Sequence, residues 1–293
     1  MKKNIILAGI ALLFVACSNE NETIIDDNAV APVTVHVTGF SVTQEDFPGT
    51  RAAQDVVDYS GVNAITLAFY KGSTETEKIT QLKADGSTYT SFGEFECSLP
   101  MGTYTMVVLA YYNSDASPLE LTSPTSASFT GVRAYETFSA TQEVVISNTS
   151  AVDISATLSR IVTKLIVNST DGKVADVTNV RMTFSTGGKS FNPTTGLAIV
   201  NTGFANTVSN SAAVGATSSS MSFLFLATDE QNIDVTIETL DADGAVLFSK
   251  TVNNVPFKRN RVTKLTGAMY TNESLSGAFK VNSDWLDDEE VDF

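Results

Sequence analysis

The chain has 293 residues, 18 Lys+Arg against 33 Asp+Glu and a net charge of -15. So acidic a molecule repels phosphate, which sets nucleic acid aside as a partner, and the charge suits a soluble surface protein. The one histidine, His36, excludes a multi-histidine metal site, and a Ser-His-Asp triad would have to be built on that single residue. Hydrophobic residues make up 43%, enough to bury a core, and the length suits two domains better than one sandwich.

Met1 to Cys17 reads as a targeting segment. Lys2 and Lys3 give a positive start, and the apolar run Ile5 to Val15 is too short to span a bilayer as a permanent helix. The segment closes on Leu13-Phe14-Val15-Ala16-Cys17, with a small residue directly before a cysteine. This resembles the lipobox of bacterial lipoproteins, with Phe14 standing where Leu is usual. The resemblance implies cleavage before Cys17 and a lipid on its sulfur; an ordinary secretory signal is the other reading. A lipidated Cys17 leaves Cys97 without a partner, so no disulfide framework is expected. Ser18 to Asn28 is polar and acidic and reads as a flexible tether.

Val33 to Ala52 (VTVHVTGFSVTQEDFPGTRA) changes character halfway. Val33, Val35, Val37 and Gly39 are expected on one face of a strand, with Thr34, His36, Thr38 and Phe40 on the other. The second half is loop-forming and carries Arg51 between Thr50 and Ala52. Arg51 is either an exposed loop arginine or a cleavage site that would detach the strand.

Short strands follow. Ala64 to Tyr70, Glu94 to Leu99, Thr103 to Tyr112, Glu143 to Ile146 and Ala151 to Leu158 are expected as strands, Asp85-Gly86 as a hairpin turn and Asn113 to Thr130 as a loop. Ala156 to Asn168 reads as a hinge. The pattern then begins again with Val177 to Phe184, Ser222 to Ala227, Ile233 to Leu240, Val246 to Val252 and Val262 to Met269; Asn201 to Ser220 is expected as a mobile loop. No stretch has a convincing helical period, so the fold class is all-β, with antiparallel sandwiches. Lys258-Arg259-Asn260-Arg261 reads as a charged hairpin loop. Asp241-Ala242-Asp243-Gly244 reads as a turn, since the remaining ligands of a calcium loop are absent. The last segment holds a strand-like piece, Ala278 to Val281, with Phe279, Trp285 and the acidic run Asp287 to Glu290. It is either a frayed tail or a segment whose apolar side chains need a groove.

Taken in order, the lipobox, the detachable strand with Thr50-Arg51-Ala52, the strand PMGTYTMVVLAYY, the junction ATLSRIVTKLIV and the late motif VPFKRNRVTKLTG are similar to the fimbrillins, the FimA-like, lipoprotein-derived pilus subunits of Gram-negative anaerobes. The resemblance covers nearly the whole chain. It implies two tandem transthyretin-like β-sandwich domains, here 32–155 and 156–293, after a signal peptide (1–16) and a lipid-anchored linker (17–31). It implies a fimbrial subunit at the cell outer membrane. An Arg-specific protease would cut between Arg51 and Ala52, removing the strand of Val33, Val35 and Val37. The C-terminal segment of another subunit, here with Phe279, Val281 and Trp285, would fill the groove. The expected partners are other fimbrial subunits (copies of this chain, or tip and anchor proteins), the maturation protease and, through lipid, the outer membrane. No catalytic residue, metal or cofactor is expected.

Two other classes are weighed. A surface lipoprotein that binds glycans fits the anchor and the sandwiches, but sugar platforms favour exposed Trp or Tyr and the single Trp lies in the tail. An enzyme is not recommended by one histidine without a paired catalytic motif.

Overall fold

The computed structural model describes residues 29–41, 56–271 and 280–282. Among them are eighteen strands, one 3-10 turn and no α-helix. Nothing in them is a helix long and apolar enough to cross a membrane. The all-β class read from the sequence is the class of the fold.

The first half builds one bent sheet from β1 (Val30–Ser41), β2 (Ala64–Lys71), β3 (Thr74–Leu82), β4 (Glu94–Pro100), β5 (Gly102–Tyr111), β8 (Thr137–Ile146) and β9 (Val152–Arg160). Its order is β3-β2-β5-β8-β9-β1-β4. Strands β8 and β9 pair only at Phe138↔Arg160 and Ser139↔Ser159, so the sheet folds over at that corner. The halves β3-β2-β5-β8 and β9-β1-β4 then face each other across a shared core of Val33, Val35, Leu67, Phe95, Met106 and Leu158, among others. At the opposite edge the buried Gln81 closes the sandwich: its amide donates to the Glu94 carbonyl (2.5 Å) and accepts from the Gly93 amide (2.8 Å).

The second half is a second sandwich. One sheet joins β10 (Thr163–Ser169), β14 (Ser219–Leu224), β17 (Val262–Gly267) and β18 (Lys280–Asn282); the other joins β11 (Asn179–Phe184), β13 (Phe204–Ser209), β15 (Glu230–Leu240) and β16 (Val246–Lys258). Leu165, Met182, Leu224, Val235 and Leu265 lie in its core.

A third apolar layer joins the two. β6 (Leu119–Ser123), β7 (Ser126–Phe129) and β12 (Ser190–Phe191) form a small sheet that takes strands from both halves. It covers the outer face of β2 and β5, where Ala64, Ala68, Val107, Leu109 and Tyr111 meet Phe129, Phe191 and Phe225. The rings of Phe191 and Phe225 stack at 4.2 Å.

Several local expectations change. Ala64 to Tyr70, expected as a strand, is one, and it is buried on both faces. The expected loop 113–130 holds β6 and β7, and the expected mobile loop 201–220 holds β13 and the start of β14. Asp85 ends the 3-10 turn Lys83–Asp85 between β3 and β4, while the β2–β3 hairpin turns at Gly72, whose φ of 66° suits a residue without Cβ. Ala156–Arg160 completes β9, and Thr163 opens β10. Asp241 does form a turn, its carboxylate accepting from the amides of Asp243 and Ala245.

Candidate functional site

The chemistry that the sequence singles out lies along β1 and the groove that holds it. β1 lies inside the sheet. It pairs antiparallel with β4, from Val30↔Pro100 to His36↔Glu94, and parallel with β9, from Val33↔Val152 to Ser41↔Ser159. Val33, Val35 and Val37 point into the core with 1%, 0% and 8% of their surface exposed, and Ala31 joins them. Each such valine contributes roughly 1.5–3 kcal/mol by leaving water. Without β1, its neighbours would lose their pairing on that side and the core would open as an apolar trench.

The far end of the strand departs from simple alternation. Between Val37↔Ala156 and Gly39↔Thr157 the register slips by one residue, leaving Thr38 as a bulge. Gly39 adopts φ 147°, which favours glycine. The slip turns Phe40 inward, where it is 1% exposed, against the outward position that strict alternation assigns it. Its ring lies 4.1 Å from that of Phe138 and 5.2 Å from that of Tyr59. A glycine inside a strand pattern is the sequence signal that marks such a bulge.

A polar cluster caps this aromatic box. The Tyr59 hydroxyl donates to Glu136 Oε1 (2.6 Å) and accepts from Arg160 Nη2 (3.0 Å). Arg160 Nε lies 2.8 Å from the same carboxylate, and the guanidinium sits 4.9 Å above the Phe138 ring. Burial, then the Glu136 charge, pushes the Tyr59 phenol up to about 12. No local pattern reveals this cluster, because its members lie far apart in the chain.

On the outer face, His36 Nε2 lies 3.1 Å from Asp153 Oδ1 and Nδ1 lies 3.6 Å from Glu94 Oε1. Both ring nitrogens face carboxylates from the flanking strands. Among the described residues no group of three or more His, Cys, Asp or Glu is placed to hold a metal ion. Cys97 lies opposite Val33 on β4, packed against the core. Burial, then the charge of Glu77, pushes its thiol up to about 11. In the basic run, Lys258 pairs with Glu230 (2.7 Å) and Arg259 with Asp229 (2.7 Å), so both charges are met within the chain.

Of the residues read from sequence, Val33, Val35 and Val37 therefore lie together in the groove. Val281 lies in β18, opposite Leu265 of β17. Cys17, Arg51, Ala52, Phe279 and Trp285 fall outside the described residues.

The model of a family of unknown function, DUF6562, matches residues 28–292. The chain belongs to that family. No curated protein matches this DUF6562 sequence. A solved structure shares its fold. The fimbrial anchor protein Mfa2 from Porphyromonas gingivalis aligns with TM-score 0.51 at 10% identity, over 87% of this chain and 98% of that one. Two candidate adhesins from Bacteroides ovatus each reach 0.49, one at 14% identity over 82% of this chain and 88% of its own, the other at 11% over 90% and 99%. At these identities the likeness to Mfa2 is one of fold.

Proposed function

We propose that this DUF6562 chain is a structural subunit of a surface fimbrium that mediates adhesion. It is exported to the outer membrane as a lipoprotein anchored through Cys17. A protease of Arg specificity cuts between Arg51 and Ala52, β1 leaves, and the C-terminal segment of another subunit takes its place. The incoming segment must run parallel to β9 and antiparallel to β4, and its alternate side chains must fill the sites of Val33, Val35 and Val37, as in donor-strand complementation. Phe279, Val281 and Trp285 supply apolar side chains of that kind. Head-to-tail contacts of this sort do not close on themselves and so grow filaments.

The observation that carries this reading is the placement of β1, held within the sheet on both sides and followed directly by the segment that contains Arg51. The fold shared with a fimbrial anchor protein supports it. The test is binding of a synthetic peptide, Gly277 to Phe293, followed by fluorescence anisotropy. The reading expects tight binding to chain cut after Arg51 and none to intact chain. Equal binding to both, or to neither, contradicts it.

A further inference from the structure

We infer that β1, through Phe40, controls one contact between the two sandwiches, with Arg160 as the positioning residue that carries the effect to the 258–261 turn. The inference extends the detachable-strand reading but rests on contacts present in the uncut chain.

Phe40 is the last core residue of β1, and its ring supports Tyr59 and Phe138. Those two position the Arg160 guanidinium, one by accepting a hydrogen bond and the other through its ring face. Arg160 also reaches out of the first sandwich: Nη1 donates to Asn260 Oδ1 at 3.2 Å. Asn260 sits in the turn between β16 and β17 with φ 57°, in the left-handed region that asparagine tolerates. Its amide donates to the Val162 carbonyl (2.8 Å), and the Lys164 amide donates to the Arg261 carbonyl (3.0 Å). One guanidinium thus spans the aromatic box under β1 and the turn that clasps the domain junction.

Removing the Phe40 ring leaves space beside Tyr59 and Phe138. Packed interiors answer such a loss by partial collapse of the neighbours. Tyr59 moves in, its hydroxyl leaves Arg160 and Glu136, and the guanidinium loses the geometry that reaches Asn260. The turn has room to respond. A cleft of about 350 Å³ lies alongside, lined by Thr157, Ser159, Ile161, Thr195 and Arg259, among others. The phenylalanine layer between the domains is separate from this cluster, so the halves stay together while the turn loosens.

The test is amide hydrogen exchange on the full chain, uncut. With Phe40→Ala, the Asn260 and Lys164 amides should exchange at least tenfold faster through local opening, while the Met182 amide inside the second sandwich, which opens only with the whole chain, stays protected over the same interval. Phe40→Leu keeps most of the filling and gives a smaller change in the same direction. Asn260→Gly keeps the turn conformation but removes the acceptor, so adding Phe40→Ala to it should produce no further change. Arg160→Lys should mimic Phe40→Ala at the turn, because an ammonium cannot hold the same fork of partners. Unchanged exchange at Asn260 and Lys164 in both Phe40 variants overturns the inference and leaves strand removal itself untouched. A chain that is never cut at Arg51 overturns strand removal and leaves this coupling standing.

Discussion

Cys97 offers a direct view of the groove from a single side chain. It faces the core on the strand beside β1, and its thiol is held up to about 11, so the reactive thiolate is scarce at neutral pH. In a Cys17→Ser chain, Ellman's reagent should modify Cys97 slowly before cleavage and at least tenfold faster once β1 has gone. Phe40 and His36 separate core from surface on the same strand. Phe40→Ala should cost about 3–5 kcal/mol in urea unfolding, as for a buried aromatic ring. His36→Ala should change stability by no more than about 1 kcal/mol, because its carboxylate partners are 49% and 75% exposed. Tyr59 fixes the sign of the alkaline response. Its folded pKa of about 12 lies above the ordinary 10, so the folded state holds the proton longer. That stability is whole below pH 10 and is lost as pH rises from 10 toward 12. Denaturation midpoints should fall across that window, and Tyr59→Phe should flatten the fall.

At the scale of the element, β1 is strong because both of its edges and one of its faces are used. Val35→Asp places a carboxylate in that core, where desolvation is costly. Thr34→Asp changes a half-buried position on the other face. Circular dichroism should find the first variant unfolded or strand-depleted and the second close to wild type; similar losses in both would deny that the groove is one-sided. The valines of β1 were legible from their period of two, and the all-β class from composition and turns. Phe40 was not, because a one-residue bulge reverses parity after Thr38. Ala64 to Tyr70 hid its second buried face, because the strands that cover Ala68 and Tyr70, β6 and β7, lie in a stretch that reads as loop. Those covering strands were themselves missed because their Ser, Thr and Pro content reads as loop. The Arg160 cluster depends on contacts across sequence separations of 77, 100 and 101 residues, which no local pattern carries.

For the whole molecule, a firmly coupled pair of sandwiches carries the strand proposed to detach. Phe129, Phe191 and Phe225 bury a shared layer between them. Calorimetry should therefore show one cooperative transition for the intact chain, and Phe225→Ala should split it in two. The proposed loss of β1 requires the rest of the chain to stay folded long enough to accept another strand. The measurement that bears most directly on this is limited trypsin digestion of the mature chain, followed by mass and size analysis. The account predicts a clean cut after Arg51, a product that stays folded, and growth into denaturant-resistant oligomers. An Arg51 bond that resists, or a cut product that remains a monomer, would contradict it.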